Sequence, residues 1–294
     1  MPHILKNKNL EILIDLPFEN YCLARFDWTG KIVSLKFQNV RLAGIERTDV
    51  ANENILGKGF YNEFGIDTAL GFEEAAIGGW FHKIGVGVCK KVDSKYNFMK
   101  HYEIKPANFQ TIAEDNRIVI TCKSESVNGY AYSLRKKIEL QESSFGIAYF
   151  LENTGERDIR TDEYVHNFLA LNHEPIGSDY VLNFPFALKP ELFVEKVNPE
   201  SKVIIGDNSI KFNGVPEKEF FFSNLTGGEN VDVGWKLSHL STKIGIRETT
   251  SFQSSKVNVW GWRHVISPEL FFKIFLKPGK TIEWSRNYSM YRLL

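Results

Sequence analysis

The chain has 294 residues, of which 43% are hydrophobic and 23 are Phe, so it can bury a large core. Lys and Arg together number 36, as do Asp and Glu, and the formal net charge is zero. Such a balance offers no basic field for nucleic-acid phosphates or anionic lipid and argues against both as partners.

The N-terminal run MPHILKNKNLEILIDLP carries charges through the segment that would be apolar in a signal peptide. No apolar run elsewhere approaches the roughly 18 residues needed to cross a bilayer. Cys22, Cys89 and Cys122 form neither a CxxC pair nor a Cys/His metal-ligand spacing, so buried reduced thiols are expected. These features predict a cytoplasmic protein.

Apolar and polar residues alternate in many short segments, which is typical of half-buried β-strands. Three segments are expected to turn one face to the core: residues 31–37 (Val33, Leu35 and Phe37), residues 117–124 (Ile118, Ile120 and Cys122) and residues 132–140 (Tyr132, Leu134, Ile138 and Leu140, with Lys136 breaking the pattern).

Turn signals separate these segments. The Asn-Gly pairs at 128–129 and 213–214 supply the positive φ that hairpin turns need, and Gly206-Asp207-Asn208 marks another turn. No segment keeps a helical period over 12 residues, so any helices are short, and there is neither a linker nor an internal repeat. The pattern predicts a single domain over residues 1–294, an antiparallel sandwich or barrel.

The segment from Gly57 to Gly87 differs from the rest because it is rich in glycine, acids and aromatic residues and alternates poorly. Loops of this composition on a rigid β scaffold often form binding sites. An ordered crossover between sheets is the alternative interpretation.

His166 lies in the run EYVHNFLALNH, next to Asn167 and Phe168. Apolar neighbours can hold an imidazole near a neutral pKa, which suits a general acid. A hydrogen-bonded core or surface histidine is the alternative.

A second cluster near the C-terminus comprises Trp260, Trp262, Arg263, His264 and Glu269. Aromatic platforms beside charged groups suit sugars, which present apolar C–H faces and hydroxyl edges. Equally, one Trp could be core and the Arg–His pair a solvated rim. Glu269 could face water or enter a pocket, where burial would raise its pKa and make it a usable base.

Other chemistries find no support in the motifs. The chain has no dinucleotide fingerprint, phosphate-binding loop or nucleophile elbow, and the adjacent Glu73 and Glu74 would point to opposite faces of a strand. His82 and His101 lack ligand partners at short spacing, so no metal is expected.

Two runs, YFLENTGERDIRTDEYVHNFLALNH and FLKPGKTIEWSRNYSMY, resemble segments of the aldose 1-epimerases, or galactose mutarotases. In that family a strand ends at Asn-Thr-Gly and the next strand carries a catalytic histidine. His166 occupies the equivalent position in this sequence. Glu269 is the only acid between the Trp-Gly-Trp run and Pro278, where the family carries its catalytic glutamate. The resemblance spans about Ile32 to Tyr291. It implies an all-β fold, a large antiparallel β-sandwich (supersandwich) of galactose-mutarotase type with few short helices.

The first half of the chain departs from that family, which has an Asn-Arg pair and a His-Gly-Gly motif there. This chain has Asn62-Glu63 and a lone histidine in WFHKIGVG, so it resembles a divergent member of the superfamily. The candidate substrate-binding residues are therefore Asn62, Glu63, His82, Lys83, Asn167, Trp260, Arg263 and His264.

The resemblance implies a reaction on a small-molecule sugar that needs neither a metal nor an organic cofactor, in a monomer or homodimer. Glu269 would act as base and His166 as acid in opening and reclosing the sugar ring. One alternative is a carbohydrate-binding protein without turnover. Another is a different reaction on the same scaffold, such as a lyase or a phosphosugar mutarotase with Arg263, Lys83 and Arg41 as phosphate ligands.

Overall fold

The computed structural model describes residues 2–294. In this range the only helical segments are two single-turn 3₁₀ helices, Glu53–Ile55 and Pro190–Leu192, and no helix is long and apolar enough to cross a membrane. The strands are β1 (His3–Lys6), β2 (Leu10–Asp15), β3 (Lys31–Phe37), β4 (Val40–Arg41), β5 (Phe60–Phe64), β6 (Trp80–Lys83), β7 (Gly87–Lys90), β8 (Ile104–Pro106), β9 (Asn108–Ala113), β10 (Arg117–Lys123), β11 (Tyr132–Leu140), β12 (Ser144–Asn153), β13 (Ile159–Asn167), β14 (Tyr180–Asn183), β15 (Lys196–Val197), β16 (Val203–Ile205), β17 (Ser209–Phe212), β18 (Phe220–Phe222), β19 (Val231–His239), β20 (Ile244–Ser254), β21 (Val257–Trp262), β22 (Val265–Leu270), β23 (Phe272–Leu276) and β24 (Thr281–Arg292).

The strands form four antiparallel sheets. The largest has ten strands in the order β16-β17-β14-β19-β20-β24-β12-β11-β10-β9. A seven-stranded sheet follows the order β1-β2-β3-β5-β13-β23, with β4 paired to β3. Two smaller sheets have the orders β15-β18-β21-β22 and β6-β7-β8. The predicted all-β antiparallel sandwich is confirmed.

The two large sheets contribute to one apolar core, in which Ile32 and Val165 of the seven-stranded sheet are clustered with Ile138 and Tyr288 of the ten-stranded sheet. Strand β10 buries the face predicted from its alternation. The same holds for β11, where the exceptional Lys136 also points inward.

Lys136 is tolerated in the core because its Nζ lies 3.0 Å from Oδ2 of the buried Asp27. The positive charge of Lys136 and the negative charge of Asp27 compensate each other.

The face predicted for β3 is wrong at one position. Ile32, not Val33, shares the core with Leu35 and Phe37. The cause is a bulge: Leu13 of β2 pairs with Ser34 and Ile14 with Ile32, so Val33 has no partner on β2. An extra residue on one strand reverses the parity of the alternation beyond it.

The segment 57–87 contains β5, β6 and the first residue of β7, and turns and loops make up most of it. The expectation for the cysteines needs correction. All three thiols are free, and Cys89 and Cys122 are buried, but Cys22 is exposed.

A buried ion cluster joins three of the sheets through Arg286 of β24. Its Nη2 lies 2.8 Å from Glu163 Oε2 on β13, and its Nη1 lies 2.7 Å from Glu248 Oε1 on β20. Nη2 also donates to the backbone oxygen of Leu270 on β22 at 2.8 Å. All three charged side chains are fully buried, so each charge depends on the others for compensation.

Asn167 extends this network. Its Nδ2 donates to the backbone oxygen of Pro268 at 2.7 Å and to Glu248 Oε2 at 3.3 Å. Its Oδ1 accepts a hydrogen bond from the Tyr288 hydroxyl at 3.1 Å. The core faces of β13 and β22 are thereby tied together by polar contacts.

We predict that R286M destabilises the protein by about 3–5 kcal/mol, because two carboxylates then remain buried without their cation. Urea unfolding followed by tryptophan fluorescence measures the change. R117Q serves as the control, since Arg117 and Glu114 form an exposed pair on the surface. Equal effects of the two substitutions would contradict a structural role for the buried cluster.

Candidate functional site

The alternation of β13 divides its side chains between the core and an open cavity. Glu163 and Asn167 take part in the core network, whereas Tyr164 and His166 line the cavity. Just beyond the strand, Leu169 bridges to Ile266 of β22 in antiparallel register. In the same register His166, three residues before Leu169, lies opposite Glu269, three residues after Ile266.

His166 and Glu269 are in direct contact. His166 Nε2 lies 3.4 Å from Glu269 Oε1, and each side chain is 5% exposed. Both belong to the lining of a cavity of about 1240 Å³. The two residues singled out as catalytic candidates therefore lie on the same face, in one concave site. Their chemical role stays a prediction.

Aromatic rings surround His166. The Phe168 ring stacks on its imidazole with the ring centroids 3.9 Å apart, and Trp260 approaches edge-on at 5.4 Å. Burial lowers the pKa of His166 well below its ordinary value, and the positive charge of Arg25 adds to this effect.

Burial acts on the carboxyl group in the opposite sense and raises the pKa of Glu269 to about 8. The charge of Arg25 and a hydrogen bond from Asn258 oppose this shift, while the charge of Glu63 adds to it. Asn258 stands directly across from Glu269 on β21. Between the two pKa values the His166–Glu269 pair carries a single proton.

Arg25 brings a positive charge into the cavity wall. Its Nη1 lies 2.6 Å from Glu46 Oε1 and its Nε lies 3.1 Å from Glu63 Oε2. The guanidinium also packs against the rings of Phe26 and Phe98, at 4.5 and 4.9 Å from their centroids. Sequence reasoning missed Arg25, although a lone cation in the apolar run YCLARFDW indicates a buried Arg that needs carboxylate partners.

Glu63 and Lys83, predicted to bind substrate, lie behind the cavity wall and do not line it. Glu63 accepts a hydrogen bond from the Tyr164 hydroxyl at 2.7 Å in addition to the Arg25 contact. Lys83 Nζ lies 3.8 Å from Glu63 Oε1 and donates to the Tyr96 hydroxyl at 2.9 Å. These buried charges hold the cavity residues Arg25 and Tyr164 in place.

Asn62, His82 and Asn167 do not line the cavity either. Asn62 Nδ2 donates to Glu163 Oε1 at 2.6 Å, on the core face with Asn167. His82 is buried against Tyr132, and burial lowers its pKa to about 4. Asn62 and Asn167 miss the cavity for the same physical reason. Successive side chains of a strand point to opposite faces, and both amides point to the core face.

The Trp-Gly-Trp-Arg-His run divides in the same way. Trp260 lines the cavity, but Arg263 and His264 do not. Arg263 rests over the Trp262 ring near Glu217, and His264 Nε2 contacts the backbone oxygen of Ile45 at 3.1 Å. Both follow the end of β21, in the turn that leads to β22.

Residues 2–294 contain no group of three or more His, Cys, Asp or Glu side chains arranged to hold a metal ion.

Comparison with solved structures identifies the fold. A galactose mutarotase related enzyme from Lactobacillus acidophilus superposes with a TM-score of 0.60 at 11% identity, over 99% of this chain and 97% of that one. A galactose mutarotase-like protein from Lactobacillus casei gives 0.59 at 10% identity, over 99% and 100% of the two chains. This chain has the galactose mutarotase-like fold.

A galactose mutarotase-like protein from Clostridium acetobutylicum is similar too, with a TM-score of 0.57 at 12% identity over 99% of this chain and 95% of that one. No protein-family model matches the sequence, and no curated protein matches it. At such identities the shared property is the fold, and the function depends on the residues of the site itself.

We predict that E269Q is more stable than the wild type at pH 8 by on the order of 3 kcal/mol, with a much smaller difference at pH 5. The pKa of Glu269 rises from 4.5 to about 8 on folding, so the stability of the wild type falls as pH increases through this window. Thermal unfolding of both proteins across pH 5 to 9 measures the difference.

E283Q is the matched control for this measurement, since Glu283 is exposed on β24. A constant difference between E269Q and the wild type over the whole pH range would refute the raised pKa.

Proposed function

We propose that this protein interconverts the anomers of a free sugar by acid–base ring opening, as an aldose 1-epimerase does. The observation that carries the proposal is the direct contact of His166 and Glu269 in an aromatic cavity. The anomeric hydroxyl oxygen and the ring oxygen of a sugar are bonded to the same carbon. An acid and a base that serve both oxygens must therefore lie close together, as these two groups do.

The lowered pKa of His166 and the raised pKa of Glu269 place the single proton of the resting pair on Glu269, so the proposed reaction begins with its transfer to His166 Nε2 across the 3.4 Å contact. Glu269, then a carboxylate, takes the proton from the anomeric hydroxyl while His166, then an imidazolium, gives a proton to the ring oxygen. The bond between C1 and the ring oxygen breaks, and the open-chain aldehyde rotates about C1–C2. Reclosure on the other face returns both protons, so the pair ends with the proton count it began with.

The surroundings supply what such a reaction needs besides proton transfer. Trp260 offers a flat apolar surface for the C–H face of the sugar ring. Arg25 and Asn258, which also line the cavity, offer hydrogen-bond donors for hydroxyl groups. Each side chain of the pair is only 5% exposed, which limits its contact with water.

A phosphorylated sugar has less support. Arg41, Lys83 and Arg263, the proposed phosphate ligands, do not line the cavity. Five Lys and Arg side chains do line it, and four of them are paired with carboxylates: Arg25 with Glu46 and Glu63, Arg47 with Asp49 and Glu219, Lys100 with Asp93, and Lys256 with Asp67 and Asp162. Lys273 is the one cation of this described lining that forms no salt bridge. Cations already paired with carboxylates attract a phosphate weakly, which favours a neutral sugar.

We predict that the protein accelerates anomer exchange of at least one free aldose, and that H166N and E269Q each lower the rate by a factor of about 100 or more, as expected for the loss of a general acid or base. NMR exchange spectroscopy on a panel of aldoses measures the rate, after subtraction of the spontaneous reaction in the same buffer.

Matched control variants are H173N and E114Q, which make the same chemical changes at exposed positions outside the cavity. Their rates should equal that of the wild type. Binding of sugars without any acceleration would reject the enzyme and identify the alternative, a carbohydrate-binding protein that lacks turnover.

The pH dependence provides a separate test. Because the pKa of His166 is lowered and that of Glu269 is raised to about 8, the singly protonated pair persists through neutral pH. We predict that kcat/KM is constant between pH 6.5 and 7.5 and falls above about pH 8, where the pair loses its proton. A rate that increases through pH 8 would instead indicate that the doubly deprotonated pair is the active form.

A further inference from the structure

The cavity extends away from the catalytic pair across the whole width of the four-stranded sheet. Glu269 of β22 faces Asn258 of β21, Trp260 of β21 faces Phe221 of β18, and Phe221 faces Val197 of β15. Side chains opposite one another on antiparallel strands point to the same face. All five line the cavity, so they form a continuous row along one wall.

The length of this row follows from the spacing of the strands. Neighbouring strands lie about 4.8 Å apart, so the three steps from β22 to β15 cover about 14 Å. A single pyranose ring at the catalytic pair would cover the part next to Trp260 and leave Phe221 and Val197 without contact.

Exposure increases along the row. Glu269 is 4% exposed, Trp260 and Phe221 are half-buried, and Val197 is 36% exposed. The row therefore leads from a closed end, where the proton transfer is proposed, to an open mouth. A substrate can thus place one end against His166 and Glu269 and extend the other end into solvent.

The middle of the row has the composition of a second sugar subsite. Phe221 presents a half-buried aromatic ring, and Glu219 and Ser223, two residues before and after it, also line the cavity. An aromatic face flanked by hydroxyl-binding polar groups suits the apolar face and the polar edges of a sugar ring.

The volume agrees with this extent. Pockets for drug-sized ligands occupy about 300–1,000 Å³, and the cavity here measures about 1240 Å³. It is thus larger than a single sugar ring requires.

We propose that the substrate is a neutral reducing oligosaccharide of two or more rings, bound with its reducing ring at His166 and Glu269 and its next ring on Phe221. The proposal rests on the proposed function for the chemistry of the first ring. The new element is a second subsite, which binds a sugar ring that takes no part in the reaction. The contacts of that ring add binding energy that a monosaccharide does not provide.

The test compares sugars that share a reducing glucose ring: glucose, maltose and maltotriose in one series, and cellobiose and cellotriose in another. We expect kcat/KM for anomer exchange, measured by NMR, to be at least tenfold higher for the di- or trisaccharides of one series than for glucose. F221A should lower this ratio at least fivefold. F275A, which truncates an exposed Phe on β23 outside the cavity, should leave it unchanged.

Binding of the same sugars, measured by calorimetry, separates this inference from the proposed function. Tighter binding of oligosaccharides without acceleration of any sugar would reject the reaction and support the second subsite. Acceleration that is equal for glucose and for both series, or a preference that F221A leaves intact, would overturn the second subsite and leave the reaction standing.

Discussion

The site depends on one buried charge, the guanidinium of Arg286. It binds Glu163, which precedes His166 by three residues on β13, and the backbone of Leu270, which follows Glu269 on β22. Removing ions from water is costly, and only the complete set of partners compensates for it. These contacts therefore allow little movement between β13 and β22. His166 and Glu269 lie on the opposite face of the same strands, so the distance between them is fixed as well.

In the cavity wall, too, a buried cation depends on carboxylate partners. Arg25 enters an aromatic environment because Glu46 and Glu63 neutralise it, and Glu63 is in turn approached by Lys83. Burial then drives the pKa values of His166 and Glu269 in opposite directions, so that the pair keeps one proton at neutral pH. Stability and the proposed function conflict here, because the carboxyl group that destabilises the fold when ionised is the group that the proposed reaction requires.

The likeness to galactose mutarotase-like structures at 10–12% identity concerns the arrangement of strands. A fold of this kind can support different activities, and the residues on its cavity wall decide which one is possible. In this chain the wall combines the His166–Glu269 pair, a neutralised Arg25 and an aromatic row from Trp260 to Phe221. Neutral, extended sugars match that combination better than phosphorylated ones do.

The sequence by itself determined the strand content, because alternation and turn residues are local signals, and it singled out His166, Glu269 and Trp260. Only the tertiary structure decided which side chains meet. A bulge reversed the face of Val33, and Asn62 and Asn167 proved to serve the core, since neighbouring residues on a strand point in opposite directions and the parity depends on what packs against each face. Arg25 was missed because its partners lie far along the chain, where long-range packing alone brings them within hydrogen-bonding distance.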